Sequence, residues 1–450
     1  MKKYLENKII KFKKDKDLFE LLSGSATTLI VRSIGGALGF LFMLLVTKGY
    51  GEHGPEVWGK YLLGLLILKI FVILARLGAD TALLKFIASF NSQGLHKNIH
   101  HVYRKALTFV LPFSLLLSFL MYFFAENISI FISVPIFYVE YMSFFLLPLV
   151  WMFINTQSFR GLKDMLSFSF FYNSAVITFA FTFFLLAFIF FKKDILNNHQ
   201  APIYAYSIGI AIAFLFSLFL WLKKSKGSGY ISEKNITNKQ FLNVSIPLML
   251  AQSITFIMGW TDQFMLGAMT TPEDVGIYGV AFKYSTLAIV FLMSINSIAA
   301  PKIAEFYANN DIQGLKKTVR HSTKMIFWIT TPIVLVFLIF SKIILGFSGE
   351  EFKLGITALF ILLSGRFFSS ICGPVGVVLQ MTNNQHIFQN ILLIAAVFNI
   401  SLNYFLIPIY GINGAAFASF ASLLFWNIVM VIVVKKKFGF YSFYFPILTK

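Results

Sequence analysis

The chain has 450 residues, of which 58% are hydrophobic and only 13% are charged, and 55 of them are phenylalanine. A soluble protein of this length cannot bury so much apolar surface in one core, so the composition excludes the ordinary soluble classes. The formal net charge is +19, and the single cysteine, Cys372, excludes a disulfide framework or a cysteine-based metal site within one chain.

The first 23 residues form a lysine-rich segment that is too long and too charged for a cleaved signal peptide. Leu5, Ile9, Phe12 and Phe19 fall roughly on one helical face of this segment. We therefore predict that residues 1–23 form a basic amphipathic helix on the anionic lipids of the inner leaflet. A disordered lysine-rich tail is the alternative.

Twelve long apolar segments follow, and most have a length that suits a hydrocarbon core of ~30 Å at ~1.5 Å rise per residue. They do not show the two-residue alternation of β-barrel strands. The fold class predicted is an all-α integral membrane protein with twelve transmembrane helices. The predicted spans are 24–47, 58–78, 101–124, 135–159, 166–191, 202–222, 241–268, 275–298, 322–341, 354–380, 386–408 and 412–434.

The Lys and Arg residues are distributed unequally between the two sides of these spans. With the amino terminus inside, 27 of the 38 lie on the cytoplasmic side, five lie on the opposite side and six lie within spans. The positive-inside rule therefore predicts a multi-pass protein of the inner (plasma) membrane with both termini cytoplasmic. Because this asymmetry accounts for most of the basic charge, we expect no nucleic acid partner.

Two short motifs occur twice, in the same order. "PEVWGKY" at 55–61 returns as "PEDVGIY" at 272–278, and "QGLHKNIHHVYRK" at 93–105 returns as "QGLKKTVRHSTKM" at 313–325. Each falls at the same place in a set of six helices, which predicts two parallel six-helix repeats with a substrate site where they meet. The predicted domains are the 1–23 segment, an N-lobe at 24–222, a cytoplasmic linker at 223–240, a C-lobe at 241–434 and a basic cytoplasmic tail at 435–450.

Six basic residues lie inside the predicted spans, where a cation that faces lipid at mid-membrane costs about 2.5–3.5 kcal/mol. Lys60 and Arg76 are near helix ends and can snorkel to the interface. The others lie deeper and are predicted to face protein or water, with no acid of matching depth evident for three of them, Arg32, Lys69 and Arg366. A cavity lined by these cations suits an anion such as phosphate or pyrophosphate. The candidate substrate-binding residues are therefore Arg32, Lys69, Lys283 and Arg366.

Small and polar residues share the helical faces of several of these charges, which predicts the walls of a polar cavity. Four faces show this pattern: Arg32 with Gly35, Gly36 and Gly39; Lys69 with Arg76 and Asp80; Asp262 with Ser245, Gln252, Thr255 and Gly259; and Arg366 with Ser370, Gly373 and Gln380.

Asp262 is the deep acid of the seventh span, and Lys283 lies at similar depth in the antiparallel eighth span. Two interpretations of Asp262 stay open: a structural ion pair with Lys283, or a coupling site for transport. His96, His100 and His101 lie in a cytoplasmic loop without nearby carboxylates, so no metal site is expected. No GxxxxGK[ST] loop and no nucleophile–base arrangement is visible, so we predict a transporter without cofactor rather than an enzyme.

Three stretches resemble a known family: "VWGKYLLGLLILKIFVILARLGADTALLKFIAS" at 57–89, "SIPLMLAQSITFIMGWTDQFMLG" at 245–267 and "EDVGIYGVAFKYSTLAIVFLMSINSIAAPKIAEFYANND" at 273–311. They are similar to polysaccharide and O-antigen repeat-unit flippases of the multidrug/oligosaccharidyl-lipid/polysaccharide (MOP) exporter superfamily. The resemblance covers about 24–434 and implies a MATE-like fold of two six-helix lobes that open alternately to each side.

The resemblance also implies a substrate and partners. The substrate would be an undecaprenyl-diphosphate-linked oligosaccharide, an O-antigen or other surface-polysaccharide repeat unit, carried to the outer leaflet of a bacterial inner membrane. A polysaccharide polymerase and glycosyltransferases would be the partners. Two alternatives stay open: a multidrug/cation antiporter of the same superfamily, which would need deep carboxylates, and a membrane-embedded polymerase or glycosyltransferase, which would need a large outer loop or a cluster of catalytic acids.

Overall fold

The structure, a computed structural model, describes residues 16–225 and 236–446 of the chain. Most of the predicted amphipathic segment 1–23 and part of the predicted linker 223–240 lie outside these residues. The described chain forms nineteen α-helices and two short 3-10 helices, and it contains no β-strand. The predicted all-α architecture is therefore confirmed.

Ten helices precede residue 225: α1 (Lys16–Gly49), α2 (Gly54–Ala75), α3 (Ala79–Ser92), α4 (His96–Phe123), α5 (Ala125–Ile132), α6 (Ile136–Gly161), α7 (Met165–Asn173), α8 (Ala175–Phe190), α9 (Lys192–Asn197) and α10 (Ala201–Lys224). Nine follow residue 236: α11 (Asn238–Met269), α12 (Pro272–Leu287), α13 (Val290–Ala308), α14 (Ile312–Ile339), α15 (Ser341–Gly346), α16 (Ile356–Cys372), α17 (Val375–Met381), α18 (Gln385–Tyr410) and α19 (Ile412–Phe438).

Nine helices of the described chain are long and apolar enough to cross a membrane, or ten if α7 and α8, bent by 54° at Ser174, count as one span. Most predicted bounds lie within about five residues of the observed helices, because the length of an apolar run is set by bilayer thickness, but α14 begins ten residues before the predicted start at 322. By chain order α11 and the α12–α13 pair take the places of the seventh and eighth predicted spans. The count of twelve spans stays a prediction.

The second predicted span ends three residues early and the tenth is broken, and each difference has a local cause. Leu77 and Gly78 adopt φ of 51° and 67°, and this left-handed pair ends α2 and turns the chain into α3, where we expected a loop. Gly373, at φ 74°, and Pro374 separate α16 from α17. The tenth predicted span is therefore two helices, and Gln380 does not continue the helical face of Arg366.

The helix bounds repeat along the chain, as the duplicated motifs predict. α6 covers Ile136–Gly161, and the α16–α17 pair covers the stretch from Ile356 to Met381, so both bounds shift by 220 residues. The α7–α8 pair and α18 show the same shift of 220 at both bounds. Corresponding segments are thus helical in both halves, although the helix break falls in a different segment of each half.

Two compact units emerge from the contacts within the chain. Unit 1 comprises the chain up to Leu45 with Ile67–Ile128 and Ile136–Ser253. Its interior holds a polar network: the Tyr103 hydroxyl donates to Oδ1 of Asn155 at 2.5 Å and accepts from Nε1 of Trp151 at 2.9 Å, and Asn155 Nδ2 donates to Ser217 Oγ at 3.0 Å. These bonds connect α4, α6 and α10, and each of the four polar side chains has a partner.

Unit 2 comprises Val46–Leu66, Ser129–Pro135 and Ile254–Lys450, so the first part of α2 belongs to it. Within this unit the two copies of the repeated Pro-Glu motif cross at their glycines. A Cβ on Gly59 would lie 1.6 Å from the carbonyl oxygen of Pro272, and a Cβ on Gly276 would lie 2.0 Å from that of Pro55. Such reciprocal contact is expected where two repeats are related by a pseudo-two-fold axis. The lobe boundaries predicted at 24–222 and 241–434 stay a prediction.

Candidate functional site

Asp262 is the centre of a polar cluster inside unit 2. Its side chain lies on α11 and is only 8% exposed. Oδ1 accepts hydrogen bonds from Nδ2 of Asn403 at 2.9 Å and Nδ2 of Asn399 at 3.3 Å. Oδ2 accepts from the Tyr278 hydroxyl at 2.6 Å and from the Ser419 hydroxyl. Four neutral donors thus replace the water that this carboxylate gives up on burial.

The four donors come from three helices, and chain geometry explains how they converge. Asn399 and Asn403 are four residues apart on α18 and therefore share one helical face. Gly411, at φ 55°, turns the chain directly from α18 into α19, which carries Ser419. Our sequence analysis missed these partners, although two asparagines four residues apart in an apolar span indicate a polar helical face.

Arg366 is the cation of this cluster. It lies half-buried on α16, with its guanidinium carbon 5.4 Å from the centroid of the Phe282 ring. Its Nε is buried and has no hydrogen-bond partner among the described residues. The Phe282 ring stacks on the Tyr278 ring with centroids 6.0 Å apart, and the Tyr278 hydroxyl donates to Asp262, so two aromatic side chains link Arg366 to the Asp262 cluster. Our expectation that Arg366 lacks an acid of matching depth stays a prediction.

Lys283 lies half-buried on α12, and its Nζ is 5.9 Å from the centroid of the Trp58 ring, which stacks on Tyr61 at 4.9 Å. This separation is within the range of a cation–π interaction. The expected ion pair between Lys283 and Asp262 is not among the ion pairs of the described residues. Asp262 takes its hydrogen bonds from neutral groups instead, so the coupling interpretation of this residue stays open.

Arg32 and Lys69 belong to unit 1, on α1 and α2 respectively. Arg32 is exposed on this unit, and Lys69 is half-buried. The glycines beside Arg32 differ in their surroundings: a Cβ on Gly35 would lie 2.7 Å from Ser174 Cβ, whereas nothing lies within 4 Å of a Cβ on Gly36. Gly35 therefore packs closely on the α7–α8 bend. That Arg32, Lys69, Lys283 and Arg366 line one cavity stays a prediction.

The structure corrects our interpretation of Arg76 as a charge that snorkels from a helix end. We expected it to snorkel, but it is only 9% exposed, and its Nη1 lies 2.9 Å from Oδ2 of Asp80. The guanidinium carbon also lies 4.7 Å from the Phe153 ring centroid. The pair is internal to unit 1, beside the left-handed turn at Gly78, because that turn brings Asp80 back towards Arg76. Lys60, the other expected snorkelling residue, pairs with Glu56.

The arrangement in unit 2 suits binding and charge compensation. Two amides and two hydroxyls donate to one buried carboxylate, and an arginine with an unpartnered Nε is linked to it through the rings of Phe282 and Tyr278. Such a group can hold a proton or a small cation, while the arginine can attract an anion. Among the described residues, no group of three or more His, Cys, Asp or Glu side chains could hold a metal ion. The His100 ring instead contacts the carbonyl oxygen of Ser225.

Two protein families match the sequence. The family described as "Polysaccharide biosynthesis protein" matches residues 21–307, and the family described as "MatE" matches residues 247–405. Among curated proteins, the chain is 25% identical over 222 residues to the "Probable low-salt glycan biosynthesis flippase Agl15" of Haloferax volcanii. The match covers 49% of this chain and 46% of that protein, and the chain spans about half the length of the curated relatives it matches.

Solved structures share the fold over most of the chain. The lipid II flippase MurJ, in an inward closed conformation, has a TM-score of 0.72 at 15% identity, covering 93% of this chain and 89% of that one. An inward-facing multidrug resistance MATE family transporter of the MOP superfamily has a TM-score of 0.67 at 14% identity, covering 91% and 98%. At these identities the likeness shows the fold alone, and the predicted MATE-like fold is confirmed.

Proposed function

The chain belongs to the polysaccharide biosynthesis protein family of the MOP exporter superfamily, and on this premise we propose that it is a lipid-linked glycan flippase. It is then a transporter rather than an enzyme. The multi-pass helical fold supports this proposal, because a substrate with a lipid tail and a sugar head needs a protein path through the hydrocarbon core.

The chemistry of Arg366 carries the proposal. A half-buried guanidinium with an unpartnered Nε is costly within a membrane unless a ligand or water completes its hydrogen bonds. A diphosphate supplies oxygens that match the planar fork of arginine. We therefore assign Arg366, together with Arg32, Lys69 and Lys283, to the phosphate-bearing part of the substrate. The finer identity that we propose is a polyprenyl-diphosphate-linked repeat unit of a surface polysaccharide such as O-antigen.

Asp262 is proposed as the coupling residue. Its carboxylate is buried among neutral oxygen-bearing side chains, so gain or loss of a proton or Na⁺ would change the local charge without breaking a salt bridge. Arg366 is linked to the same carboxylate through the Phe282 ring and through Tyr278, whose hydroxyl donates to Asp262. Substrate phosphate and coupling cation would therefore influence one another's binding, as coupled transport requires.

A paired measurement of glycan output and protein level tests the assignment in cells that lack their own copy. Arg366→Ala should abolish surface polysaccharide at normal membrane protein level, and Arg366→Lys should rescue only partly because an ammonium loses the bidentate fork. Arg320→Ala is a matched control, since Arg320 is exposed on α14. Normal output from Arg366→Ala at normal protein level would contradict the assigned role.

The MatE match over 247–405 keeps a multidrug/cation antiporter as the second candidate. That function would need several deep acids for a cationic drug, whereas Asp262 is the one acid among the candidate site residues and the other four are cations. Protection of a host from cationic dyes, lost in Asp262→Asn, would favour the antiporter. The flippase proposal predicts no protection by the wild-type chain.

A further inference from the structure

The segment that follows α19 forms a strap, residues 439–446, which folds back over unit 2. Gly439, at φ 78°, ends α19 by donating its N–H to the carbonyl of Lys435 at 2.9 Å. Lys435 Nζ donates to the Gly439 carbonyl at 2.9 Å and lies 4.9 Å from the Tyr441 ring centroid. These contacts reverse the chain, so the strap runs along the helices of the unit rather than away from them.

The strap reaches the break between α16 and α17 and completes its hydrogen bonding. In an unbroken helix the carbonyl of Ile371 would accept from the N–H of Val375. The turn at Gly373 and Pro374 redirects the Val375 N–H to the carbonyl of Gly373 at 2.9 Å. The backbone N–H of Tyr444 donates to the Ile371 carbonyl at 2.9 Å. One backbone group of the strap therefore replaces the bond that the helix break removes.

Side chains hold the strap in this place. Phe440 is 3% exposed and belongs to the same hydrophobic cluster as Cys372 and Val375, which lie on either side of the break. The Tyr444 ring centroid lies 5.6 Å from that of Phe327 on α14, and Nζ of Lys324 lies 5.8 Å from the Tyr444 centroid. The strap is thus packed against both halves of the broken span and against the helix beside it.

The break also packs closely against α14. A Cβ on Gly373 would lie 2.1 Å from Oγ1 of Thr323, one helical turn from Phe327 on α14. α14 therefore backs the break at Thr323 and supports the Tyr444 ring at Phe327. The backbone at Gly373 packs on Thr323 of α14, and the Tyr444 N–H bonds to the Ile371 carbonyl. The angle between α16 and α17 therefore depends on the strap staying docked.

Arg366 is five residues before Ile371 on α16, about 8 Å along the helix axis. We propose that the 439–446 strap clamps the α16–α17 break and that Tyr444 is thereby a positioning residue for Arg366, an inference that rests on the proposed function for its transport consequence. The docked strap fixes the carboxyl end of α16, and hence the direction of the guanidinium. Undocking frees α16 to tilt at Gly373 and Pro374.

Hydrogen exchange of the purified full-length chain in nanodiscs tests the clamp. Tyr444→Pro removes both the ring and the N–H that donates to Ile371, whereas Tyr444→Ala removes the ring but keeps the N–H and is therefore the matched control. We expect amides of 372–379 to exchange about fivefold faster in Tyr444→Pro than in Tyr444→Ala, from the loss of one hydrogen bond. Equal rates in these two variants would overturn the clamp.

A transport arm tests the positioning role and separates it from the proposed function. At matched levels of folded protein, Tyr444→Pro should move lipid-linked glycan at less than half the rate of Tyr444→Ala. Faster exchange with unchanged transport would overturn the role of Tyr444 in positioning Arg366. If the wild-type chain moves no glycan, the proposed function fails, whereas the exchange comparison still decides the clamp because it needs no substrate.

Discussion

The crossing of the two repeated Pro-Glu motifs makes a sharp stability prediction for Gly276→Ala. The new Cβ would lie 2.0 Å from the carbonyl oxygen of Pro55 in the α2–α12 crossing. A carbon and a carbonyl oxygen normally approach no closer than about 3.3 Å. The two helices must therefore separate by more than about 1 Å, and the colliding atom belongs to the backbone, so it cannot rotate away.

The expected magnitude follows from two opposing effects. Overpacking of a tight contact costs about 1–3 kcal/mol, and we expect the upper end here because both partners are backbone. The gain from replacing a helical glycine by alanine is about 0.5–1 kcal/mol. The net destabilisation of Gly276→Ala should therefore be about 2 kcal/mol. Gly59→Ala, whose Cβ would lie 1.6 Å from Pro272 O, should cost at least as much, and the double variant should cost less than the sum.

The chain provides its own reporter for this test. Cys372 is the single cysteine and is 3% exposed, so a thiol-reactive dye labels the protein only as unit 2 opens on heating. Gly36→Ala is the control, since nothing lies within 4 Å of its Cβ, and it should leave the melting temperature unchanged or raise it. A Gly276→Ala protein as stable as the control would refute the close crossing.

Three further predictions concern charges. Arg76→Leu should destabilise the folded protein by about 3–5 kcal/mol because it leaves Asp80 buried and unpaired, and the double change with Asp80→Leu should recover most of this loss when unfolding is followed by circular dichroism. Burial disfavours the charged form of Asp164, but hydrogen bonds from Lys224 and Ser167 hold its pKa below the ordinary value. Its contribution to stability is thus present above the unfolded pKa of about 3.9 and is lost as pH falls through the lower folded pKa, so the melting temperatures of wild type and Asp164→Asn should converge on acidification. A reporter active only outside the cytoplasm, fused after Lys450, should be silent if both termini are inside, and an active fusion would reverse the topology.

Helix positions could be predicted from the sequence because bilayer thickness imposes the length of each apolar run. The ends of α6 and α18 were predicted within two residues on this basis. The break at Gly373 and Pro374 was missed although both residues are helix breakers, since the apolar run continues across it. We also missed α3, because we identified helices by the length of their apolar runs. Its buried face, which includes Leu83 and Ile87, shows helical spacing.

Only part of the candidate site could be predicted from the sequence. Asp262 and Arg366 could be selected because charge is costly at their depth, and no contact needs to be known for that argument. The partners of Asp262 on α18 and α19 lie 137–157 residues away in sequence, so only tertiary packing reveals them. The Arg76–Asp80 pair has i, i+4 spacing and was accessible, but the proximity of Arg76 to a helix end favoured snorkelling instead.

Translocation in proteoliposomes tests the central claim most directly. The purified chain is reconstituted with a polyprenyl-diphosphate-linked oligosaccharide, and a membrane-impermeant glycosidase reports the fraction of sugar heads that become accessible with time. The account predicts that the wild-type and Arg320→Ala chains expose nearly all heads, whereas Arg366→Ala exposes only the fraction accessible in protein-free vesicles. A wild-type chain that exposes no more than the protein-free vesicles, or an Arg366→Ala chain as fast as wild type, would contradict it.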